Sequence, residues 1–186
     1  KKNYIFFAVK GNSNDGHKYI NKAIRNGART IIHQKSFEGF KGKVLFLSCK
    51  NVRKILAQIS YKFFSEKPKN IIAVTGTNGK SSVSDFFYQI LKLNKINVAS
   101  IGTLGIKFKN KMISVNNTTL DPINLAKYLS FLKKRKINNV ILEASSHGLK
   151  QKRLDGLNIS SAIFTNLSHD HLDYHKNFKD YLNSKL

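Results

Sequence analysis

The sequence predicts an α/β fold with a mostly parallel sheet. Short apolar runs alternate along the chain with amphipathic helical patterns, and this alternation is typical of parallel sheets whose strands are joined by helices. Hydrophobic residues make up 41% and charged residues 23% of the 186 residues, a composition that excludes a disordered chain. A chain of this length can bury a core without disulfides or a structural metal.

The first part of the chain predicts a small α/β domain. In order, we expect a strand at 4–9, a helix at 18–26, strands at 30–33 and 44–48, and a helix at 51–64. The second helix carries five apolar residues at the spacing of a core-facing amphipathic face, namely Val52, Ile55, Leu56, Ile59 and Phe63. The polar stretch 65–70 contains Pro68 and predicts a linker. We therefore place two domains at 1–66 and 67–186.

The second part of the chain predicts a larger α/β domain. In order, we expect a strand at 71–75, a helix at 82–93, a strand at 98–101, a hairpin or loop at 102–119, a helix at 122–135, strands at 140–144 and 161–166, and a helical pattern at 178–186. The first strand of the chain begins close to Lys1, and the last helical pattern stops without a Gly or Asn cap. We therefore expect the sequence to be a piece of a longer protein.

The charge of the chain is strongly positive. Lys and Arg number 33 against 10 Asp and Glu, which gives a formal net charge of +23. Such a charge can indicate a nucleic-acid partner, but lysine is spread through nearly every segment without an Arg-rich block, so we favour a compositional bias toward lysine. No apolar run approaches the roughly 20 residues of a membrane span. Cys49 is the single cysteine and fits a reducing cytoplasm.

A glycine-rich turn lies between the predicted strand 71–75 and the next helix. The residues at 75–82, Thr-Gly-Thr-Asn-Gly-Lys-Ser-Ser, stand where such a turn can bind phosphate. Gly76 and Gly79 let backbone amides approach phosphate oxygens, Lys80 can reach the β- and γ-phosphates, and the Ser81 hydroxyl is placed to bind Mg²⁺. Val74 stands where the standard spacing has glycine. The alternative is a turn whose glycines serve geometry alone.

Glu143 ends a predicted strand and should lie at the carboxyl edge of the sheet, where open α/β folds bind ligands. A carboxylate there, across from Ser81, suits a hard cation; the alternative is a solvated glutamate at a strand end. Ser146 and His147 follow shortly after. We do not interpret them as a hydrolase pair, because adjacent residues do not face each other and no Gly-x-Ser-x-Gly turn is present.

Residues 169–175 concentrate His and Asp after a predicted buried strand. Such density can form a transition-metal site. The alternative is a helix N-terminus rich in Asp, with its histidines facing solvent.

Four groups of residues, in order along the chain, resemble the Mur ligases of peptidoglycan synthesis. They are 76–82; 117–119 with Asp121 and Pro122; 143–149 with Arg153; and 164–167 with 170–175. Segments 6–11, 15–17 and 23–28 also match, so the resemblance covers nearly the whole chain. Within the family, the likeness is greatest to the members that add the third residue of the stem peptide.

The resemblance implies an ATP-dependent amide-bond ligase. In this family Mg-ATP phosphorylates the D-Glu carboxylate of UDP-MurNAc-L-Ala-D-Glu, and the amine of a diamino acid, meso-diaminopimelate or L-lysine, attacks the acyl phosphate. Such chemistry depends on positioning and charge neutralisation. The implied fold is a small N-terminal substrate domain followed by a central ATP-binding domain. The implied ligands are ATP, Mg²⁺ and the two substrates, in a cytoplasmic and monomeric protein without nucleic acid or membrane.

The resemblance also implies roles for individual residues. The ATP phosphates are assigned to Gly76, Thr77, Asn78, Gly79, Lys80, Ser81 and Ser82. Metal ligation is assigned to Ser81 and Glu143 for one Mg²⁺ and to His171 for a second. The muramoyl peptide is assigned to Asn117, Thr118, Thr119, Ser145, Gln151 and Arg153, and the uridine nucleotide to Asn12, Ser13 and Asn14. Lys185 matches the lysine that the family carbamylates to N6-carboxylysine, and the catalytic set is Lys80, Glu143, His171 and Lys185.

The sequence also departs from the family pattern. Ser81 replaces the commoner Thr, which keeps the hydroxyl. The family's carboxyl-terminal domain, which binds the incoming amino acid, has no counterpart here, so we expect this chain alone to bind its ligands weakly and not to ligate. Two alternatives stay open: another ligase of the superfamily, of the folylpolyglutamate or cyanophycin synthetase type, and a basic phosphate-loop module that binds nucleic acid.

Overall fold

Two sheets organise the computed structural model, which describes residues 2–11, 14–171 and 173–186. The chain divides into two units, Lys1–Leu56 and Ala57–Leu186. In both sheets most neighbouring strands run parallel, which confirms the predicted α/β class. The predicted domain boundary at residue 66 stays a prediction.

The first unit contains a sheet with the strand order β1-β2-β4-β3 among its described residues. The strands are β1 (Tyr4–Phe7), β2 (Ala28–His33), β3 (Gly39–Lys41) and β4 (Val44–Ser48), and a 3₁₀ turn (Gly16–Tyr19) leads into helix α1 (Ile20–Arg25). β1, β2 and β4 are parallel, whereas β3 pairs antiparallel with β4. Ala23, Ala28, Ile31 and Val44 form the small core of this unit.

Helix α2 (Val52–Phe63) contains the boundary between the two units. Its buried residues in the second unit are Ala57, Ser60 and Tyr61; the last two lie three and four residues after Ala57 and so share its face of the helix. Phe63 is 79% exposed, and the expectation that it faces the core is wrong. Alternative apolar faces of one helix cannot be ranked by spacing alone, because packing partners decide which face is buried.

The second unit contains a larger sheet with the strand order β10-β5-β9-β6-β7-β8 among its described residues. In chain order its elements are β5 (Asn70–Thr75), α3 (Lys80–Leu93), β6 (Val98–Gly102), β7 (Gly105–Phe108), β8 (Lys111–Ile113), α4 (Pro122–Lys134), β9 (Asn139–Glu143), α5 (Ser146–Lys150), β10 (Ser161–Phe164) and α6 (Phe178–Lys185). β10, β5, β9 and β6 are parallel, and their carboxyl ends meet at one edge.

Local sequence explains how these elements form. β5 lies between β10 and β9, and its buried Ile71, Ala73 and Val74 form the near-continuous apolar run of a strand covered on both faces. Helix α4 begins at Pro122, which is favoured in the first helical turn, and the Asp121 side chain caps it by accepting two backbone N–H bonds. The larger core lies on one face of this sheet, where Ile101, Val140 and Leu142 pack with Leu125 and Leu129 of α4 and neighbouring apolar residues.

The predicted elements are all present, with ends that differ by a few residues. The segment expected to form a hairpin or loop contains the β7–β8 hairpin. Two elements were not predicted, β3 and α5, and both are only three to five residues long. None of the described helices is long and apolar enough to cross a bilayer.

Candidate active site

The glycine-rich turn connects β5 to α3 at the carboxyl edge of the larger sheet. We call residues 76–82 the phosphate loop. Gly76 has a φ of +144°, and a Cβ at this position would lie 1.9 Å from the Thr165 Oγ1 atom. Only glycine fits this conformation and this approach. At the end of the turn, Gly79 precedes the first residue of α3 and carries no side chain to cap the helix, which leaves the position suited to an anion.

The segment after β10 supports the phosphate loop. Asn166 accepts the backbone N–H of Thr77 through its carbonyl at 2.9 Å and that of Asn78 through its side chain at 3.0 Å. Thr165 Oγ1 donates to the Asn78 carbonyl at 2.7 Å. The Thr77 hydroxyl is bonded to Ser168, whose N–H it accepts at 3.0 Å. The loop conformation is therefore held by residues about 90 positions away in the sequence.

Two lysine amines contact the backbone of the phosphate loop. Lys80 Nζ donates to the carbonyls of Gly76 at 2.9 Å and Thr77 at 2.7 Å. Lys185 Nζ, on the last turn of α6, donates to the same Gly76 carbonyl at 2.7 Å and is 9% exposed. Burial, followed by the charge of Lys80, lowers the pKa of Lys185 to about 8. Burial also lowers the pKa of Lys80, against the opposing effect of Glu143.

Glu143 ends β9 as a buried carboxylate that accepts several hydrogen bonds. The Ser81 hydroxyl donates to its Oε2 atom at 3.0 Å, and Thr103 donates to both carboxylate oxygens, from its N–H at 3.2 Å and its hydroxyl at 3.0 Å. Glu143 is 3% exposed, so the alternative of a solvated strand-end glutamate is wrong. Gly102 permits this placement, because a Cβ there would lie 2.1 Å from Glu143 Oε1.

The chemistry of this donor set fits Mg²⁺. Mg²⁺ prefers oxygen ligands, and in nucleotide sites it takes one or two protein oxygens and completes its shell with waters and phosphates. Ser81 and Glu143 offer a hydroxyl and a carboxylate beside the phosphate loop. Among the described residues, no group of three or more His, Cys, Asp or Glu side chains could hold a metal ion, so the structure does not assemble the transition-metal site considered for 169–175.

The residues assigned to the muramoyl peptide lie close together on the other side of the same edge. We call this set the substrate wall: Asn117, Thr118, Thr119, Ser145, Gln151 and Arg153. The Thr119 hydroxyl donates to the Glu143 carbonyl at 2.9 Å and lies 3.0 Å from the Ser145 hydroxyl, which caps α5 by accepting the Gly148 N–H. The wall is therefore tied to the strand that carries the buried carboxylate.

Gln151 and Arg153 form one polar unit within the substrate wall. The Gln151 carbonyl oxygen accepts from Arg153 Nε at 3.2 Å and Nη2 at 2.9 Å. Arg153 Nη1 also donates to the Thr119 carbonyl. The planar guanidinium is thereby held in one orientation, with its fixed fork of donors beside the cavity.

The phosphate loop and the substrate wall line one cavity of about 490 Å³. His171 and Lys185 also line it. Of the site residues predicted in 67–186, only Gly76 does not face this cavity directly, although its carbonyl binds both lysines. The structure therefore brings the predicted phosphate, metal and peptide residues of the second unit together.

The histidines of 169–175 differ in their surroundings. His171 lines the cavity, with its ring 5.0 Å from that of His147. His169 stacks on Phe178 at 4.9 Å. His175 is 1% exposed, so the alternative of solvent-facing histidines is wrong for this residue. Burial lowers the pKa of His147 and of His175, aided by His171 for the first and Lys150 for the second.

The predicted uridine residues belong to the first unit. Asn12 and Ser13 lie outside the described residues. Asn14 is exposed, and its carbonyl accepts the Gly11 N–H at 2.8 Å. Within the same unit, Lys10, Gly11, Gln34 and other residues line a cavity of about 350 Å³, which Asn14 does not line.

Sequence reasoning missed several residues of the cavity. Thr103, Ser146 and His147 line it, and Tyr174 and Tyr181 contact residues that do. Thr103 follows a short strand without a motif of its own, so no local signal identifies it. The tyrosines stand in the recognised segment 170–175 and in the last helical pattern, but their hydroxyl partners lie far away in the sequence.

Comparison with known proteins agrees with this geometry. The model of the Mur ligase middle domain matches residues 74–186. A curated UDP-N-acetylmuramoyl-L-alanyl-D-glutamate--2,6-diaminopimelate ligase from Wigglesworthia glossinidia brevipalpis is 41% identical over 99% of this chain and 39% of its own length. A solved structure of a ligase with the same name covers 100% of this chain and 38% of that chain, with 32% identity and a TM-score of 0.82.

A more distant solved structure shares the fold alone. The MurF ligase from Thermotoga maritima, in complex with ADP, is 22% identical, with a TM-score of 0.60 over 100% of this chain and 39% of its own. The chain spans about two fifths of the length of these relatives. Since the family model covers more than half of the 186 residues, the chain belongs to the Mur ligase family.

Proposed function

We propose that this chain carries the nucleotide- and substrate-binding part of an ATP-dependent ligase that adds a diamino acid to UDP-MurNAc-L-Ala-D-Glu. The observation that carries the proposal is the single cavity in which a phosphate loop, a buried carboxylate and a substrate wall face each other. The name of the Wigglesworthia relative states this reaction with 2,6-diaminopimelate. We assign residues 1–66 to an N-terminal substrate domain and 67–186 to the central ATP-binding domain.

The phosphate loop binds ATP in this proposal. The backbone of residues 76–82 and the start of α3 surround the phosphates, and Lys80 moves from the Gly76 and Thr77 carbonyls to the γ-phosphoryl. Ser81 and Glu143 would hold one Mg²⁺, and His171 would hold a second ion. When bound, Mg²⁺ neutralises charge on the transferring phosphoryl group.

The substrate wall holds the acceptor carboxylate. Arg153 lines the cavity with a planar guanidinium whose geometry matches a carboxylate, and Thr118, Thr119 and Ser145 offer hydroxyls beside it. These residues hold the D-Glu carboxylate against the γ-phosphate, so that the chemistry is driven by positioning. The carboxylate takes the γ-phosphoryl group and ADP leaves. The amine of the diamino acid then attacks the acyl carbon, inorganic phosphate leaves and an amide bond forms. We assign Asn12, Ser13 and Asn14 to the uridine nucleotide.

Lys185 is proposed to be carbamylated. Carbamylation requires a neutral amine, and burial beside Lys80 favours that form. With a pKa of about 8, about a tenth of the Lys185 side chains are neutral at pH 7. The carbamate would add an acidic group beside the phosphate loop, where it could contact the second metal.

We further propose a monomer that works in the cytoplasm without nucleic acid. In this proposal the +23 charge reflects a compositional bias toward lysine. The alternatives to the proposed function are a folylpolyglutamate-type ligase and a nucleic-acid-binding module. The thermal unfolding of the chain, followed with UDP-MurNAc-L-Ala-D-Glu, with UDP-MurNAc-L-Ala and with a single-stranded oligonucleotide, separates them. Ligand at 100 times its dissociation constant adds about 2.7 kcal/mol to the free energy of unfolding.

The proposal predicts selective stabilisation by the dipeptide form. An equal effect of the two UDP-sugars would contradict a site for the D-Glu carboxylate. Stabilisation by the oligonucleotide alone, with a steep dependence on salt, would support the nucleic-acid module instead. Arg153→Lys serves as the matched variant, because it keeps the charge while losing the fork that binds the carboxylate.

A further inference from the structure

A half-buried tyrosine within the histidine-rich segment 169–175 and a buried tyrosine after it each contact a residue that lines the cavity. Tyr174 lies before α6 and Tyr181 within it. We call residues 173–185 the brace. The Lys150 side chain of α5 forms an ion pair with Asp180 in the brace, which ties the brace to the helix that follows Ser145.

The Tyr181 hydroxyl contacts the phosphate loop. Tyr181 is fully buried, and its oxygen lies 2.9 Å from Thr77 Oγ1. Thr77 Oγ1 accepts the Ser168 N–H at 3.0 Å and lies 3.3 Å from the Ser168 carbonyl. The Tyr181 hydroxyl and the Ser168 backbone therefore hold the Thr77 hydroxyl between them. The same tyrosine ring lies 4.7 Å below Lys185 Nζ.

The Tyr174 hydroxyl contacts the substrate wall. It accepts a hydrogen bond from Gln151 Nε2 at 3.1 Å. Because the Gln151 carbonyl oxygen accepts from Arg153, this contact fixes which end of the amide faces the arginine. The Tyr174 ring also packs on the His147 ring, with centroids 3.9 Å apart, and His147 lines the cavity.

We infer that Tyr181 and Tyr174 are positioning residues, the first for the phosphate loop and the second for the Gln151–Arg153 unit of the substrate wall. This inference rests on the proposed function, since it assigns nucleotide to one half of the cavity and the muramoyl peptide to the other. Neither hydroxyl contacts a ligand in this assignment. Each instead holds a side chain, Thr77 or Gln151, in the orientation that its neighbours need.

The test compares Tyr181→Phe, Tyr174→Phe and the control Tyr88→Phe. Each substitution keeps the ring and removes one hydroxyl; that of Tyr88 donates to the Lys109 carbonyl, outside the cavity. Isothermal titration calorimetry measures binding of ADP with Mg²⁺ and of UDP-MurNAc-L-Ala-D-Glu. The loss of one such hydrogen bond corresponds to about a three- to tenfold weaker affinity.

The expected result is that each cavity variant weakens the binding of one ligand and not of the other. Tyr181→Phe lowers the affinity for ADP about three- to tenfold and changes the affinity for the UDP-dipeptide by less than about twofold. Tyr174→Phe has the opposite effect on the two affinities. Tyr88→Phe lowers the melting temperature and leaves both affinities unchanged. If both cavity variants weaken both ligands equally, or neither does, the tyrosines are merely structural and the inference is overturned.

A ligand-free measurement separates this inference from the proposed function. Wild-type protein that binds neither ligand would contradict the proposed function in this chain. Amide hydrogen exchange then tests the positioning itself: Tyr181→Phe should speed exchange at residues 77–79 and 168, and Tyr174→Phe at residues 151–153. Equal protection of these amides in all variants would overturn the inference whatever the ligands do.

Discussion

The phosphate loop and the substrate wall face the same cavity but are built differently. The loop is one run of seven residues whose backbone forms the site, and this run also carries one lysine and three hydroxyl side chains. The wall draws on side chains from three separate segments, at 117–119, 145 and 151–153. A backbone site tolerates little change in local geometry, whereas a side-chain site tolerates single losses. The two halves should therefore respond to substitution in different ways.

The largest effect should come from Gly76→Ala in the phosphate loop. The new Cβ would lie 1.9 Å from Thr165 Oγ1, at a φ of +144° that L-residues rarely adopt. We expect a loss of about 4 kcal/mol or more in the free energy of unfolding, together with loss of ADP binding. Urea denaturation and calorimetry measure the two effects.

Gly42→Ala is the matched control for this substitution. Gly42 also has a positive φ, +58°, but a Cβ there would meet nothing within 4 Å. Only the backbone cost of about 1–2 kcal/mol should appear. If the two variants lose the same stability, close approach of Thr165 does not constrain the loop.

The next largest effect concerns Lys185, which joins α6 to the loop. Its pKa falls from 10.5 to about 8 on folding, so between these values the unfolded state binds more protons than the folded state. The stability contributed by Lys185 therefore rises with pH through this window, and below it the buried charge costs up to about 3 kcal/mol. Lys185→Met should remove that cost and so raise the free energy of unfolding near pH 7. The increase should be smaller near pH 10.

Urea denaturation at pH 7 and pH 10 measures this difference. Lys179→Met, at an exposed position on the same helix, serves as the control. A gain for Lys185→Met that is the same at both pH values would mean that burial does not shift this amine.

Glu143 stands between the two halves, and Glu143→Gln should separate metal binding from nucleotide binding. The amide replaces one acceptor oxygen with a donor facing the Ser81 and Thr103 donors, at a cost of about 1–3 kcal/mol. We expect the affinity for ADP to become nearly independent of Mg²⁺, whereas wild-type affinity falls when the metal is chelated. Titrations of ADP in the presence of Mg²⁺ and of EDTA give the ratio of the two affinities for the variant and for the wild type. An unchanged Mg²⁺ dependence would show that Glu143 does not bind the metal ion.

The parts of the site that the sequence predicts are those formed by residues close together in the chain. The phosphate loop is contiguous, so its glycines, Lys80 and Ser81 identified it directly from the sequence. The burial of Glu143 depends on Gly102 and Thr103 at the end of the neighbouring strand β6, and no pattern near Glu143 shows that. The tyrosine contacts join positions 23 and 104 residues apart, which sequence periodicity cannot detect.

The fold shows the same division between local and distant causes. Helix α4 begins at Pro122, where the sequence predicted it, and Asp121 caps it. The buried face of α2 was predicted only in part. Val52 is buried as expected, but Phe63 is exposed, and Tyr61 packs inward and donates its hydroxyl to the Arg153 carbonyl, 92 residues away. Local signals therefore predicted where elements begin, and tertiary contacts decided which side chains they bury.

The smallest effect should come from Arg153→Lys in the substrate wall. Lysine keeps the charge but loses the fork that now donates to Gln151 and Thr119. We expect about tenfold weaker binding of UDP-MurNAc-L-Ala-D-Glu, corresponding to about 1.4 kcal/mol, with the affinity for ADP unchanged. Calorimetry with UDP-MurNAc-L-Ala supplies the control, because a ligand without the D-Glu carboxylate should not distinguish the variant from wild type. An equal loss for both UDP-sugars would place Arg153 against another part of the ligand, whereas a loss of ADP affinity would show that the two halves are not independent.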